Sequence, residues 1–261
     1  MKDLGAEAGC YSIEQLDPEE ANKLIAGNDT VGFGYPAYGS DVPEAMKKFM
    51  QRLAPTPADK DTFIFCTQWL WSGDGARIGT EFLNTGFRVK WAEHFSMPNN
   101  VSVSVFRLPY TNDKKRIQKK LNKAERRIHK FAGRIIAGRP FLRGFNPISV
   151  FSGYIQRGPF RRFYERLRDD ISIDAKKCTL CEKCVRFCPV GNLYVSSSNT
   201  VIARGRCILC LRCYSFCPAM AVEYMDKAHN PDRGEPYRGP VEGFDPELMG
   251  PEELPHKKLK V

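Results

Sequence analysis

Cysteine is the residue type whose spacing in this chain points most directly to chemistry. Eight of the ten cysteines form two arrays with the spacing C-x2-C-x2-C-x3-C, and a proline follows each array. Each cysteine of the first array recurs 29 residues later in the second, which indicates an internal duplication. Three thiolates this close together in a turning loop can bind three irons of one [4Fe-4S] cluster. The first array comprises Cys178, Cys181, Cys184 and Cys188, and the second comprises Cys207, Cys210, Cys213 and Cys217.

The fourth cysteine of each array lies beyond the turn, so we expect it to point away from its own array and to bind the other cluster. This crossing would tie the two repeats into one folding unit. Apolar residues between the cysteines are expected to shield the clusters from water. The predicted ligands are Cys178, Cys181, Cys184 and Cys217 for cluster 1, and Cys207, Cys210, Cys213 and Cys188 for cluster 2.

Zinc and disulfides are the alternative uses of these cysteines. Zinc sites also use C-x2-C pairs, but they combine two separated pairs rather than four cysteines in eleven residues, repeated. Disulfides are typical of exported proteins, and the N-terminus shows no export signal. The spacing therefore favours iron–sulfur clusters.

Residues 171–226, which hold both arrays, resemble the two-cluster ferredoxins of bacteria, with all eight ligand positions matched. The resemblance implies a small α+β domain and one-electron chemistry at low potential. Residues 111–170 before it are predicted to form a basic helix and linker. The segment 141–163, which mixes aromatic residues with Arg and Gly, is predicted to be an irregular linker with a short helix over 160–168. Residues 227–261 are predicted to form a Pro- and Gly-rich tail, extended on the surface or disordered.

Residues 1–110 show short apolar strands separated by helices, the pattern of a parallel sheet with helices on both faces. Asp17 is a plausible N-cap with Pro18 at the first helical position. The predicted helices cover 14–26, 43–53 and a segment ending near 84. The predicted strands cover 30–35 and 62–67, and a long amphipathic helix is predicted over 112–137.

With Tyr35 to Gly39, Cys66-Thr67 and Ser96 to Asn100, residues 1–110 resemble a flavodoxin-like domain. The order of segments is similar to that of the family in which such a domain is fused to a two-cluster ferredoxin. The resemblance implies an α/β fold and makes FMN a possible cofactor, with Tyr38, Trp69 and Trp71 able to stack on its ring or simply to cover the strand ends. The implied FMN contacts are Pro36, Tyr38, Gly39, Thr67 and Gln68.

The first strand and the phosphate-binding loop of a flavodoxin-like domain are missing from this sequence, which is expected to begin at the end of the first helix. In the strand order 2-1-3-4-5 that strand lies in the middle of the sheet. Its loss is therefore expected to expose the edges of two neighbouring strands.

The net charge of +10 is concentrated between Lys114 and Arg168. A solvated helix face, a docking surface for an acidic redox partner and peripheral membrane contact are all consistent with this region. Nucleic acid is not expected, because no recognisable binding module is present. The basic residues are Lys114, Lys115, Lys119, Lys120, Lys123, Arg126, Arg127, Lys130, Arg157, Arg161, Arg162, Arg166 and Arg168, and the aromatic residues that would help membrane contact are Phe141, Phe145, Phe151, Tyr154 and Phe160.

No stretch is long and apolar enough to span a membrane, and a cytoplasmic location is expected. Cys10 and Cys66 are predicted to be packing residues, and the four histidines form no spaced cluster. The predicted function is single-electron transfer through two [4Fe-4S] clusters, for which a flavin or a partner oxidoreductase is the candidate for coupling. The alternatives are an FMN-dependent reductase that uses the clusters as an internal relay, and a sensor or scaffold with structural clusters.

Overall fold

The computed structural model describes residues 1–56, 59–103, 105, 108–241 and 243–246. It divides into two compact units: Met1–Pro98 with Lys114–Arg162, and Asn99–Asp113 with Phe163–Val261. The predicted domain boundaries at residues 110, 170 and 226 stay predictions. None of the helices in the described parts is both long and apolar enough to cross a bilayer.

The first unit contains a four-stranded parallel sheet in which the strands are ordered β1-β2-β3-β4. The described part of this unit also contains two 3-10 helices, Lys2–Leu4 and Arg77–Phe82. The elements are α1 (Pro18–Ala26), β1 (Thr30–Pro36), α2 (Glu44–Arg52), β2 (Lys60–Gln68), β3 (Phe87–Ser96), α3 (Lys114–Ile136), β4 (Phe141–Leu142) and α4 (Pro147–Arg168), of which α4 belongs to this unit up to Arg162.

The sheet has an apolar core on each face because alternate side chains of a strand point to opposite faces. On one face, Ile64 and Cys66 of β2 join a core with Phe33 of β1, and this core includes buried residues of α1 and α2. On the other face, Phe131 of α3 packs edge-on against Phe95, with ring centroids 5.8 Å apart. The α/β prediction for this part of the chain is therefore confirmed.

Two glycines of β1 leave room for aromatic rings of the neighbouring strand. Gly32 and Gly34 lie opposite Phe63 and Phe65 of β2, and a Cβ on either glycine would run into the facing ring. The two phenylalanine rings stack at 6.4 Å and cover this part of the sheet. The aromatic side chains of β2 thus supply the packing surface that β1 lacks there.

The prediction that a lost strand exposes the edges of two strands in the middle of the sheet is wrong. β1 is hydrogen-bonded directly to β2 along its whole length, from Thr30 opposite Asp61 to Pro36 opposite Thr67. The strands lie in chain order, so no neighbouring pair is separated by a missing strand.

Several predicted elements match the structure and others do not. Asp17 caps α1 as predicted by accepting a hydrogen bond from the Glu20 amide, although the helix begins at Pro18 rather than at residue 14. The helix predicted to end near residue 84 is a 3-10 helix. The short helix predicted over 160–168 is the end of α4, whereas the irregular linker predicted before it is wrong, because α4 is helical from Pro147 onward and accommodates Pro159.

The strand β3 was not predicted. Its sequence contains charged and polar residues, which are not typical of a buried strand. Glu93 and His94 are nevertheless buried in it. Glu93 accepts a 2.7 Å hydrogen bond from Arg127 of α3 and lies 3.5 Å from Arg143, so its charge is compensated inside the unit.

The second unit is built from short elements around the cysteine arrays. Two antiparallel strand pairs, β5 with β8 and β6 with β7, flank two helices of one turn. Its core also includes Val103, which is 1% exposed. The elements are β5 (Ile171–Ile173), α5 (Lys183–Arg186), β6 (Leu193–Val195), β7 (Val201–Ala203), α6 (Arg212–Phe216) and β8 (Val222–Tyr224), followed by the 3-10 helix Pro231–Arg233.

The described part of the predicted tail, up to residue 246, is folded into the second unit rather than extended. His229 is 8% exposed, and its Nδ1 lies 3.2 Å from the Tyr214 hydroxyl. Arg233 donates a 2.7 Å hydrogen bond to the Leu108 carbonyl. Residues 247–261 of the predicted tail, His256 among them, lie outside the described residues.

We expect Gly32→Ala to lower the free energy of unfolding of the first unit by about 1–3 kcal/mol, because the new Cβ must displace the Phe63 ring. All three tryptophans lie in the first unit, so tryptophan fluorescence during urea unfolding measures this unit. The matched control is Gly133→Ala in α3, where a Cβ meets no atom within 4 Å. This control should raise the free energy of unfolding of the first unit by about 0.5–1 kcal/mol. Equal changes in the free energy of unfolding from the two substitutions would contradict the packing described for β1.

Candidate metal centre

The eight cysteines of the two arrays line two separate cavities in the second unit. Cys178, Cys181 and Cys184 of the first array share one cavity with Cys217 of the second. The other cavity is lined by Cys207, Cys210 and Cys213 together with Cys188 of the first array. The cavities enclose similar spaces, about 350 and about 320 Å³ including open solvent. Each cavity therefore collects three cysteines of one array and the fourth cysteine of the other.

The loops around the two cavities share an uncommon backbone conformation. Leu180 and Glu182, on either side of Cys181, have φ values of 53° and 57°. Leu209 and Leu211 occupy the same places in the second repeat, with φ values of 55° and 57°. Left-handed φ values are uncommon for residues other than glycine, and they cluster at ligand-binding loops where the surroundings enforce them. The two repeats therefore wrap their cavities by the same bends of the chain.

Backbone amides donate hydrogen bonds to sulfur at matching places in the two repeats. Asn192 N–H donates to the sulfur of Cys188 at 3.0 Å, and Ala221 N–H donates to that of Cys217 at 3.3 Å. A third bond runs from Leu209 N–H to Cys207 at 3.3 Å. Such bonds stabilise thiolates and are one of the factors that set the reduction potential of a cluster.

Apolar side chains lie near and along the cavities. Phe187 and Phe216, which follow α5 and end α6, pack edge-on with ring centroids 6.0 Å apart. Ile173, Val201 and Val222 line the first cavity. A low-dielectric wall of this kind controls solvent access to a bound metal cluster.

Burial raises the pKa of three thiols that face the cavities, those of Cys184, Cys207 and Cys213. Burial, followed by the charges of Cys217, Cys178 and Cys181, raises the pKa of Cys184 to about 11. Burial likewise raises the pKa of Cys207 to about 11. Thiolates are the form that binds iron, so cations at the cavity centres would be needed to hold these groups deprotonated.

Among the residues that the structure describes, no group of three or more His, Cys, Asp or Glu side chains is placed to hold a single metal ion. A [4Fe-4S] cluster has four irons, each of which takes one thiolate. Its four cysteines therefore surround the cluster instead of converging on one point. The four cysteines that line each cavity have the same surrounding arrangement.

The predicted FMN residues lie at the ends of β1 and β2 in the first unit. Pro36 is the last residue of β1, and Tyr38 forms an isolated bridge with Asp41. Thr67 accepts a backbone hydrogen bond from Ala37 at 2.9 Å. Gly39, at φ 56°, faces the Phe160 ring of α4.

Helix α4 covers these strand ends. Gly153 packs against Gly73 and Asp74 so closely that a Cβ there would meet the Asp74 carboxylate. Arg157, which is 6% exposed, forms an ion pair with the fully buried Asp74 and donates a 2.8 Å hydrogen bond to the Ser40 carbonyl. Arg77 also pairs with Asp74, at 2.7 Å.

Gln68 is held in a buried network rather than turned toward a ligand. Its side chain hydrogen-bonds Ser72, and its Nε2 donates to the Leu70 carbonyl at 3.1 Å. Ser72 in turn lies 3.4 Å from Nδ1 of His94, whose Nε2 accepts a 3.2 Å hydrogen bond from the Ala76 amide. These side chains and α4 pack together at the strand ends, and the predicted FMN contacts stay predictions.

The predicted basic region is only partly solvated. Lys120 donates a 2.8 Å hydrogen bond to the Trp69 carbonyl, Arg127 pairs with Glu93, and Arg161 forms a 2.6 Å ion pair with Asp41. The remaining basic residues predicted on α3 are exposed, namely Lys114, Lys115, Lys119, Lys123, Arg126 and Lys130.

The predicted membrane-contacting aromatics do not share one environment. Phe145 packs against the sheet core on the side of α1 and α2. The guanidinium carbon of Arg134 lies over the Phe141 ring, 3.9 Å from the ring centroid. Phe151 and Tyr154 are 66% and 72% exposed. Docking of an acidic partner on the basic region and peripheral membrane contact stay predictions.

The two cysteines outside the arrays differ in environment. Cys66 is buried in β2 as a packing residue, which confirms its prediction, and burial raises its pKa to about 12. Cys10 is exposed, so its prediction as a packing residue is wrong. The sequence contained no pattern that separated the two.

Residues 170–218 match the family model described as "4Fe-4S dicluster domain". The chain therefore carries a ferredoxin-like 4Fe-4S domain over these residues, within the second unit. Comparison of the chain with curated proteins and with solved structures gives no match. The flavodoxin-like half of the resemblance has no support from these comparisons.

We expect Arg157→Ala to lower the free energy of unfolding of the first unit by about 3 kcal/mol, because Asp74 would stay buried with one of its two cationic partners removed. The matched control is Arg162→Ala on the same helix, where the side chain is exposed and the change should be nearly neutral. Tryptophan fluorescence during urea unfolding measures both. A neutral Arg157→Ala would show that α4 is not anchored at the strand ends.

We expect the first unit to lose stability as the pH falls from about 6.5 to about 4. Burial, followed by the charges of Arg143 and Arg127, lowers the pKa of His94 to about 4, whereas its value in the unfolded chain is about 6.5. Between these values the unfolded chain binds a proton that the folded unit does not, so stability increases with pH across this window. The difference amounts to about 3 kcal/mol.

Tryptophan-monitored unfolding at several pH values measures this loss, and His94→Gln should flatten the curve. His129→Gln, which removes an exposed histidine of α3, should leave its slope unchanged. A wild-type curve that is flat between pH 6.5 and 4 would contradict a buried neutral His94.

Proposed function

We propose that this protein is an electron carrier that passes single electrons through two [4Fe-4S] clusters, each held by three cysteines of one array and the fourth cysteine of the other. The observation that carries this proposal is the gathering of cysteines from both arrays around each of two cavities of similar size. The family match over residues 170–218 supports it. A bound [4Fe-4S] cluster supplies a centre that gains and loses one electron.

The residues of this chain have three roles in the proposal. The thiolates of the two arrays hold the clusters, and the amides of Asn192, Leu209 and Ala221 stabilise the sulfur atoms by hydrogen bonds. Phe187 and Phe216 exclude water between the two repeats. Because free thiolates and reduced clusters persist in reducing surroundings, a cytoplasmic location belongs to the same proposal.

The proposal places the redox chemistry in the second unit and assigns no flavin to the first. Its support is the packing of α4 at the strand ends, through Arg157 and Gly153 against Asp74. Purified protein should therefore contain iron and acid-labile sulfide without a flavin absorption band. Tightly bound flavin in the native protein would favour the reductase alternative.

Pairs of cysteine substitutions test the crossed arrangement. If Cys178 and Cys217 serve the same cluster, Cys178→Ala/Cys217→Ala should lose one cluster and keep about four of about eight irons. Cys178→Ala/Cys188→Ala should lose both clusters, because these two cysteines line different cavities. Iron and sulfide contents after anaerobic reconstitution, with electron paramagnetic resonance of the reduced samples, measure the outcome.

Cys66→Ala is the control, since Cys66 lies in β2 of the other unit and should leave the iron content unchanged. If the two double variants exchange results, each array binds its own cluster and the crossing is wrong. Zinc in place of iron and sulfide in wild-type protein would overturn the proposed function itself.

A further inference from the structure

Cys181 differs in exposure from the other seven cysteines of the arrays. It is exposed, whereas the others are half-buried or buried. The neighbouring Leu180 is also 39% exposed. An electron enters or leaves a buried centre most readily where that centre lies nearest the surface, so the first cavity offers its access at Cys181.

The surface beside Cys181 is basic. Four exposed cations, which we call the Cys181 rim, lie within five residues of it along the chain: Lys176, Lys177, Lys183 and Arg186. Lys183 lines the first cavity together with Cys181. Arg186 donates a 3.3 Å hydrogen bond to the Cys181 carbonyl, which holds the guanidinium beside this loop.

Acidic residues compensate only part of this charge. Asp174 forms a 2.9 Å ion pair with Lys177. Glu182 is the other acid among residues 174–186, and the charge of Glu223 in β8 also acts on Lys177, so the four cations of the rim have three acids near them. The first cavity is also lined by the uncharged Pro218 and Ala219. The side chains near the exposed cysteine therefore carry a net positive charge, apart from the charge of a bound cluster.

The second cavity presents a different surface. None of its cysteines is exposed. The Tyr164 hydroxyl donates a 3.1 Å hydrogen bond to the carbonyl of Ile208, one of the residues that line it. The combination of an exposed cysteine and a surrounding group of cations occurs at the first cavity alone among the described residues.

We propose that the Cys181 rim is the docking surface for an acidic one-electron carrier protein. This inference rests on the proposed function and adds the surface and the charge of the partner to it. Complementary charge speeds encounter and orients two proteins before electron transfer, and its effect weakens as salt is added. The exchange moves one electron between the partner's redox centre and this unit, with no bond made or broken.

The basic helix α3 is the competing surface for the same partner. It carries more cations, but none of its residues lines either cavity. Charge alone would favour α3, whereas charge together with access to a redox centre favours the Cys181 rim. Matched variants on the two surfaces therefore separate the two possibilities.

The test measures binding of the iron-loaded full chain to an acidic plant-type [2Fe-2S] ferredoxin, with the basic carrier cytochrome c as the opposite probe. Isothermal titration calorimetry at low salt gives the dissociation constants. Lys176→Glu/Lys183→Glu should weaken ferredoxin binding by about tenfold and strengthen cytochrome c binding. Lys119→Glu/Lys123→Glu on α3 makes the same change in net charge and should have a smaller effect. Raising the salt from about 0.02 M to about 0.2 M should weaken ferredoxin binding to the wild-type protein.

Iron content and reducibility by dithionite are measured on every variant, so that loss of the clusters is not mistaken for loss of docking. If the charge reversal at Lys183 lowers the iron content, the variant Lys176→Gln/Lys183→Gln is used in place of Lys176→Glu/Lys183→Glu. Equal losses from the two surfaces, or a larger loss from α3, would overturn the docking proposal while the proposed function stands. Competition for the Cys181 rim by a DNA duplex at physiological salt would also overturn it. Wild-type protein without iron and sulfide would instead remove the proposed function.

Discussion

The second unit depends on the convergence of sulfur atoms from two distant repeats on each of two small cavities. Its strands are only three residues long, and two-stranded pairs of this size have little stability by themselves. The chain nevertheless adopts left-handed conformations at Leu180, Glu182, Leu209 and Leu211, which cost free energy in residues with a side chain. Metal–thiolate bonds can offset that cost, and crossed ligands make each repeat depend on the other.

The first unit obeys a different constraint, the burial of charge. Asp74 is fully buried and meets Arg157 and Arg77, while Glu93 meets Arg127. A buried ion pair adds little net stability, but removing one partner is costly, so such pairs specify one arrangement of the elements. Here the Arg157–Asp74 pair holds α4 over the ends of β1 and β2, and the Arg127–Glu93 pair holds α3 on β3. Ligands usually bind at this edge of an open parallel sheet, and in this unit the chain's own helix occupies it.

The positive charge of the chain is divided among surfaces with different roles. Some cations of the basic region complete buried ion pairs, as Arg157 does, and others are exposed along α3. A smaller group surrounds Cys181, next to the cavity with the exposed cysteine. Net charge therefore says little about where a partner binds, because the location of each cation relative to a redox centre decides what its field can do.

The sequence by itself determined the features that depend on short stretches of chain. The spacing of the cysteines predicted which of them share a cavity, and Asp17 with Pro18 predicted how α1 begins, because turns and caps are set by neighbouring residues. Only the tertiary structure decided the path of α4 and the closure of the strand ends. The mixture of aromatic residues with Arg and Gly suggested an irregular linker over 141–163, yet the helix is fixed by Arg157 meeting Asp74, 83 residues away. Contacts between distant segments leave no local pattern in a single sequence.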